Sequence, residues 1–217
     1  MATPVIPEPG LVRGPSTRLS STIGLVALLA SILYFISDVI ELAQGGFSTM
    51  QLTLTLVAEA AIPFFIVGLY VLQRPRMGRL GLTATVVYAY TFVFFSGTVV
   101  FALARRTSNW DVLVHDLGRL IVIHGILMVV AGLALGLAIV RAAILPRWTA
   151  LTLMAGVVLV AASSGLPSLA QTASAGVRDL AFAAMGVSLF HGSWRTTLSP
   201  DPQFVAAVDC QNEGLAS

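Results

Sequence analysis

Nine ionisable side chains sit where an otherwise apolar sequence has no use for them. Asp38 and Glu41 are three residues apart, which puts both carboxylates on one face of a helix. Glu59 is enclosed by Val57, Ala58, Ala60, Ala61 and Ile62, and its side chain is too short to reach a distant polar layer. His115, Asp116 and Arg119 form a second group with His124 further along, and Arg178 and Asp179 form a third.

Counting Asp38, Glu41, Glu59, Asp116 and Asp179 against Arg119 and Arg178 gives five acids and two permanent cations. The difference leaves three carboxylates without an obligate partner. A bare carboxylate in an apolar interior is strongly disfavoured. The surplus acids are therefore expected to be protonated, wetted by a cavity, or paired with an external cation. Such a group can bind a proton, a small cation or an amine. A neutral carboxylic acid can also act as a general acid on a lipophilic substrate. The plain alternative is structural: Asp116 pairs with Arg119 within one turn, Arg178 pairs with a neighbouring acid, and Asp38 and Glu41 reach a headgroup layer.

Pro63, four residues after Glu59, is expected to loosen the helix there and free a backbone carbonyl. His124 reads as a packed histidine bonded to a neighbour. Pairing it with His191 around a haem is disfavoured, because the two would lie about 18 and 26 Å from the same membrane surface at 1.5 Å per residue. No Ser-His-Asp order, metal-ligand spacing or phosphate-binding glycine loop is visible, so no catalytic residue, cofactor or metal is assigned. The single cysteine, Cys210, cannot form an internal disulfide.

The elements that hold these groups follow from composition. The 217 residues are 57% hydrophobic and only 10% charged, with a mean hydropathy of +0.90. Soluble domains carry about 25% charged residues, so this chain cannot cover itself in water. Lipid is the solvent that suits it. Residues 19–193 are expected to form an all-α bundle of about six transmembrane helices: Leu19–Ala43, Leu52–Leu72, Leu80–Ala104, Val112–Val140, Trp148–Leu166 and Ala173–Ser193. A helix needs about 20 residues to cross the hydrocarbon layer, and the fifth stretch is the shortest. No ten-residue alternating segments suggest a barrel.

Residues 1–18 contain four prolines and little apolar surface, and read as a disordered tail. Residues 194–217 read as a second tail, mostly disordered. The first apolar run is longer than a signal-peptide core and has no small-x-small cleavage site after it, so it is expected to remain as a helix.

Arginine placement orients the chain, since all twelve basic residues are Arg. With both termini cytoplasmic, Arg13, Arg18, Arg74, Arg76, Arg79, Arg141, Arg147 and Arg195 lie inside, against Arg105, Arg106, Arg119 and Arg178 outside. Trp148 and Trp194 then mark the inner interface and Trp110 the outer one. The nine ionisable groups fall in the outer half, on four helices. The expected location is a plasma membrane. The small net charge of +2 without a basic stripe argues against nucleic acid as a partner.

Gly118, Gly125 and Gly132 recur every seven residues, and Gly132 and Gly136 form a G-x-x-x-G. Such a stripe lets a backbone approach closely, either within the bundle or in a homo-oligomer. Ala184, Ser188 and Gly192 form a similar stripe. Tyr88, Tyr90, Phe92, Phe94, Phe95 and Phe101 read as packing residues. Pro75-Arg76-Met77 echoes Pro146-Arg147-Trp148 at an offset of 71 residues, which convergence of two inner loops explains.

The linker Arg141-Ala142-Ala143-Ile144-Leu145-Pro146-Arg147-Trp148 resembles that of a group of uncharacterised bacterial multi-helix membrane proteins, over the second half of the chain. The resemblance implies a polytopic helical fold and no particular activity. Three functions stay open: a binding or transport protein for a proton, cation or amphiphile, a small intramembrane enzyme, and an accessory subunit. Six helices without a clear inverted repeat are few for a transporter.

Overall fold

The computed structural model describes residues 17–191, so the two tail assignments lie outside the described residues, apart from Thr17 and Arg18, which are already helical. The described chain is all helix, without strands. The first helix, α1, spans Thr17–Gln44. A second helical trace runs Thr49–Arg105. Straight, its 57 residues would measure about 85 Å at 1.5 Å per residue. Yet its ends meet: the Phe47 amide donates to the Ser108 carbonyl at 2.8 Å. The trace folds back at Gly78, whose φ of 59° and ψ of −162° suit only glycine. It is two membrane helices, α2 (Thr49–Arg74) and α3 (Arg76–Arg105).

The stretch expected as one helix over Val112–Val140 is divided. Gly118 breaks it with φ 51° and ψ −122°, leaving a short helix α4 (Trp110–Leu117) and a spanning helix α5 (Arg119–Ala142). Hydropathy does not fall across Leu117-Gly118-Arg119-Leu120 enough to announce the break. Two helices complete the bundle, α6 (Arg147–Ala162) and α7 (Ser168–Phe190). Five helices are long and apolar enough to cross a membrane. α6 has 16 residues, about 24 Å, and is the short member.

The helices alternate in direction. One end of the bundle, the Gln44 end, gathers the C-termini of α1 and α3, the N-termini of α2 and α5, α4, and the α6–α7 turn. The other, the Arg76 end, gathers the α2–α3 turn and the α5–α6 linker. Around the bundle, α1 packs on the α2–α3 hairpin and on α7, α7 on α6, α6 on α5, and α5 back on the hairpin. Inside lie Tyr88, Phe65, Phe92, Phe182, Leu135 and Leu153, all fully buried. Outside, large apolar side chains point away from the protein, among them Phe64 at 74% exposure, with Ile126, Leu180 and Val93. An outward apolar surface of this extent requires hydrocarbon around it. The protein is a membrane protein.

Two glycines let α1 and α7 cross with their backbones close together. A Cβ on Gly24 of α1 would lie 2.5 Å from the Gly186 carbonyl oxygen of α7, and one on Gly186 would lie 2.7 Å from the Gly24 oxygen. The expected glycine stripe on α5 serves several ends. Gly118 is the break, Gly125 faces open space, and Gly132 and Gly136 admit Tyr88 with Val157, and Met154, respectively.

Candidate functional site

Three of the spanning helices bring acidic groups to one place inside the bundle. Glu59 is buried at 4% exposure and faces inward from α2. The Tyr34 hydroxyl of α1 donates to its Oε1 at 2.9 Å. One turn after Tyr34, Asp38 lies within electrostatic reach of Asp179, Arg178, Glu41 and Glu59. From α7, Arg178 and Asp179 are both buried, and Arg178 donates to Asp179 Oδ1 from Nε at 3.2 Å and from Nη2 at 3.1 Å. The guanidinium also lies over two rings, 4.7 Å from the Tyr34 centroid and 6.0 Å from that of Phe92. This is cation–π geometry in a dry setting, where it is strongest.

The backbone explains why α7 comes so near. A Cβ on Gly156 of α6 would lie 2.7 Å from the Arg178 amide nitrogen, so glycine lets α7 sit flush against α6 at the level of the arginine. Pro63 has no N–H to return to the Glu59 carbonyl, but α2 stays helical through it; the only interior break of the trace is at Gly78.

The charge count differs from the expected one. Asp38, Glu59 and Asp179 face a single fixed cation, Arg178. Four buried oxygens around them have no hydrogen-bond partner: Asp38 Oδ2, Glu59 Oε2, Asp179 Oδ2 and the Tyr88 hydroxyl. Tyr88 is fully buried on α3 and within electrostatic reach of Arg178 and Asp179. Buried polar atoms of this kind are rare and call for a partner.

The remaining expected residues stand elsewhere. Glu41 is half-buried and accepts from Gln51 Nε2 at 3.1 Å, on the Gln44 side of the cluster. Asp116 pairs with His115 at 3.7 Å on α4, with His115 almost fully exposed. Arg119, counted as one of the two permanent cations, is exposed at the start of α5 and makes no ion pair among the described residues. The other, Arg178, is the one at the cluster. His124 stacks on Phe94 with ring centroids 3.5 Å apart and planes 5° from parallel. Its Nδ1 faces the Leu120 carbonyl at 2.8 Å and its Nε2 the Tyr90 hydroxyl at 3.0 Å. A carbonyl can only accept, so Nδ1 carries a proton and donates to Leu120. His191 ends α7 at the Arg76 end, far along the bundle from His124.

Tyr34, Ser37, Gln51 and Thr55 were not among the residues expected at the site, and Tyr88 was expected only as a packing residue. All but Tyr88 carry a signal: Tyr34, Ser37, Asp38 and Glu41 share a face of α1, and Gln51, Thr55 and Glu59 share a face of α2. Among the described residues, no group of three or more His, Cys, Asp or Glu is arranged to hold a metal ion.

Comparison with protein-family models, with curated proteins and with solved structures returns no match.

Proposed function

We propose that this protein is a membrane carrier that binds a proton or a small monovalent cation at the Asp38–Glu59–Asp179 cluster. The single observation that supports it is the imbalance of three carboxyl groups, two buried and one half-buried, against one buried guanidinium, with a buried, unpartnered oxygen on each acid. A structural ion pair needs one acid per arginine and leaves no such surplus. Ionisable groups inside a membrane bundle commonly line ion or proton pathways. Tyr34 holds one Glu59 oxygen and leaves the other to the ligand. Arg178 tempers the negative charge without neutralising it, so a bound cation can leave again. The arrangement suits reversible loading of a single positive charge.

The Arg76 end carries Arg18, Arg74, Arg76, Arg79, Arg141 and Arg147, against Arg105, Arg106 and Arg119 at the Gln44 end. By the positive-inside tendency, the N-terminus is cytoplasmic and the cluster lies toward the outside of a bacterial plasma membrane.

Reconstituted vesicles with an internal pH dye provide the test. An imposed pH gradient is expected to decay faster than in empty vesicles, and Glu59→Gln is expected to return the rate to that of empty vesicles. Flux of protons, sodium or a small amine that is insensitive to Glu59→Gln removes the proposal. So does a lack of flux above empty vesicles for protons, sodium and a small amine in turn.

A further inference from the structure

A ladder of polar side chains fills the seam between α1 and α2 from the Gln44 end down to the buried cluster. At the rim stands half-buried Glu41, which accepts from Gln51 Nε2. The same Gln51 nitrogen donates to Thr55 Oγ1 at 3.2 Å. Thr55 Oγ1 shares a short hydrogen bond with Ser37 Oγ. Ser37 Oγ also donates to the Gln51 carbonyl at 3.0 Å. One helical turn below Thr55 is Glu59, and beside Ser37 is Asp38. Ser37, Gln51 and Thr55 are themselves buried, so this is a polar strip within the bundle and not a solvated surface.

Three oxygens along the strip have no partner: Gln51 Oε1 near the rim, Asp38 Oδ2 in the middle and Glu59 Oε2 at the bottom. They belong to side chains on both walls of one seam. Unpartnered buried oxygens of this kind are the ones that an internal water would satisfy. Below Glu59 the character changes. Toward the Arg76 end the interior is closed by Phe65, Phe92 and Phe182, with ring centroids 5.6 Å apart for Phe65–Phe182 and 6.2 Å for Phe92–Phe182. Ile62, Ile66 and Leu69 continue that apolar barrier along α2.

We infer that the α1–α2 seam is a hydrated access path through which a proton, specifically, reaches Glu59 from the Gln44 end and from that end alone in this conformation. The proton passes from water at the Glu41 rim along seam waters held by Gln51, Thr55, Ser37 and Asp38, and Glu59 Oε2 takes it. The departing proton retraces the route. Charge balances at each step, because one proton enters for each carboxylate neutralised. The groups within reach of Glu59 are Tyr34 and Asp38 from α1 and Arg178 from α7, with Asp179 and, from α3, Tyr88 next to Arg178. The inference rests on the carrier reading, since it assumes that Glu59 is the group that loads.

Infrared H/D exchange of the protonated Glu59 carboxyl in nanodiscs tests it, with the band identified by its loss in Glu59→Gln. In a Cys210→Ser background, Glu41→Cys modified with a bulky thiol reagent is expected to slow exchange by about tenfold or more, and Arg79→Cys modified in the same way to leave it unchanged. Thr55→Val, which keeps the shape and removes the hydroxyl, is expected to slow exchange by about tenfold without any added reagent. Equal rates in the blocked, Thr55→Val and unmodified proteins overturn the access path and leave the carrier reading standing. Slowing by the reagent at Arg79→Cys overturns the sidedness. No carboxyl band lost in Glu59→Gln at any pH overturns the proton path.

Discussion

The Tyr34 hydroxyl is the hydrogen-bond donor that holds Glu59 in place, bridging α1 and α2 at 2.9 Å inside the bundle. Tyr34→Phe keeps the ring under Arg178 and removes that donor. Glu59 would then have two unpartnered oxygens where it now has one. Leaving a buried acceptor unsatisfied costs about 1–3 kcal/mol. The variant is expected to lose that much stability in denaturant unfolding from mixed micelles. Combined with Glu59→Gln, the losses are expected to add up to less than their sum, because contacting residues couple by about 0.5–3 kcal/mol. Strict additivity would mean that the bond contributes nothing.

Arg178 and Asp179 give a sharper contrast. Removing one member of a buried ion pair strands the other and typically costs about 3–5 kcal/mol, whereas replacing both with apolar residues is often neutral. Arg178→Met is therefore expected to destabilise severely. Its effect should exceed that of an ordinary pair, since three acids depend on this one cation. Asp179→Leu alone is expected to be mild, because Arg178 keeps Asp38, Glu59 and two aromatic faces. Thermal unfolding in detergent compares them; equal losses would show that Arg178 serves Asp179 alone.

That asymmetry also marks what the sequence could disclose. Depth along a helix is readable from residue number, and it places Asp38, Glu59 and Arg178 at one level. Rotation is less readable where every face is apolar, so Arg119 and Arg178 look equivalent until helix neighbours are known. α5 turns Arg119 outward, while Gly156 draws α7 in. The spans were legible because hydrocarbon demands about 20 apolar residues at a time. The break at Gly118 was not, since a left-handed glycine inside an apolar run leaves no trace in hydropathy. The α1–α2 ladder was readable in principle from its three- and four-residue spacing of polar groups. Hydroxyls and amides in membrane helices so often bond to their own backbone that the pattern does not stand out.

Gly24 and Gly125 separate packing from mere smallness. A methyl on Gly24 meets the Gly186 backbone at 2.5 Å, and backbone cannot rotate away as a side chain can. Gly24→Ala is expected to force α1 and α7 apart and cost about 1–3 kcal/mol. Gly125 has nothing within 4 Å, so Gly125→Ala is expected to be neutral, or to stabilise by up to about 1 kcal/mol through helix propensity. The bulkier Gly125→Leu also tests a second copy docking on α5: a change in the mass of the purified particle by light scattering would reveal that contact, and an unchanged mass would exclude it there.

Membrane orientation decides which compartment the seam opens to. The Gln44 end presents Ser108 and the Arg76 end presents Arg76, both exposed. In a Cys210→Ser background, Ser108→Cys is expected to react with a membrane-impermeant maleimide in intact cells. Arg76→Cys is expected to react only after permeabilisation. The reason is electrostatic. Moving the arginines of the α2–α3 turn and the α5–α6 linker across a membrane is disfavoured, while the opposite end carries fewer of them. The adjacent Arg105 and Arg106 oppose this assignment, and replacing both with Gln is expected to sharpen the labelling difference. The reverse pattern, with Arg76→Cys labelled in intact cells, would invert the bundle and place the opening of the α1–α2 seam on the cytoplasmic side.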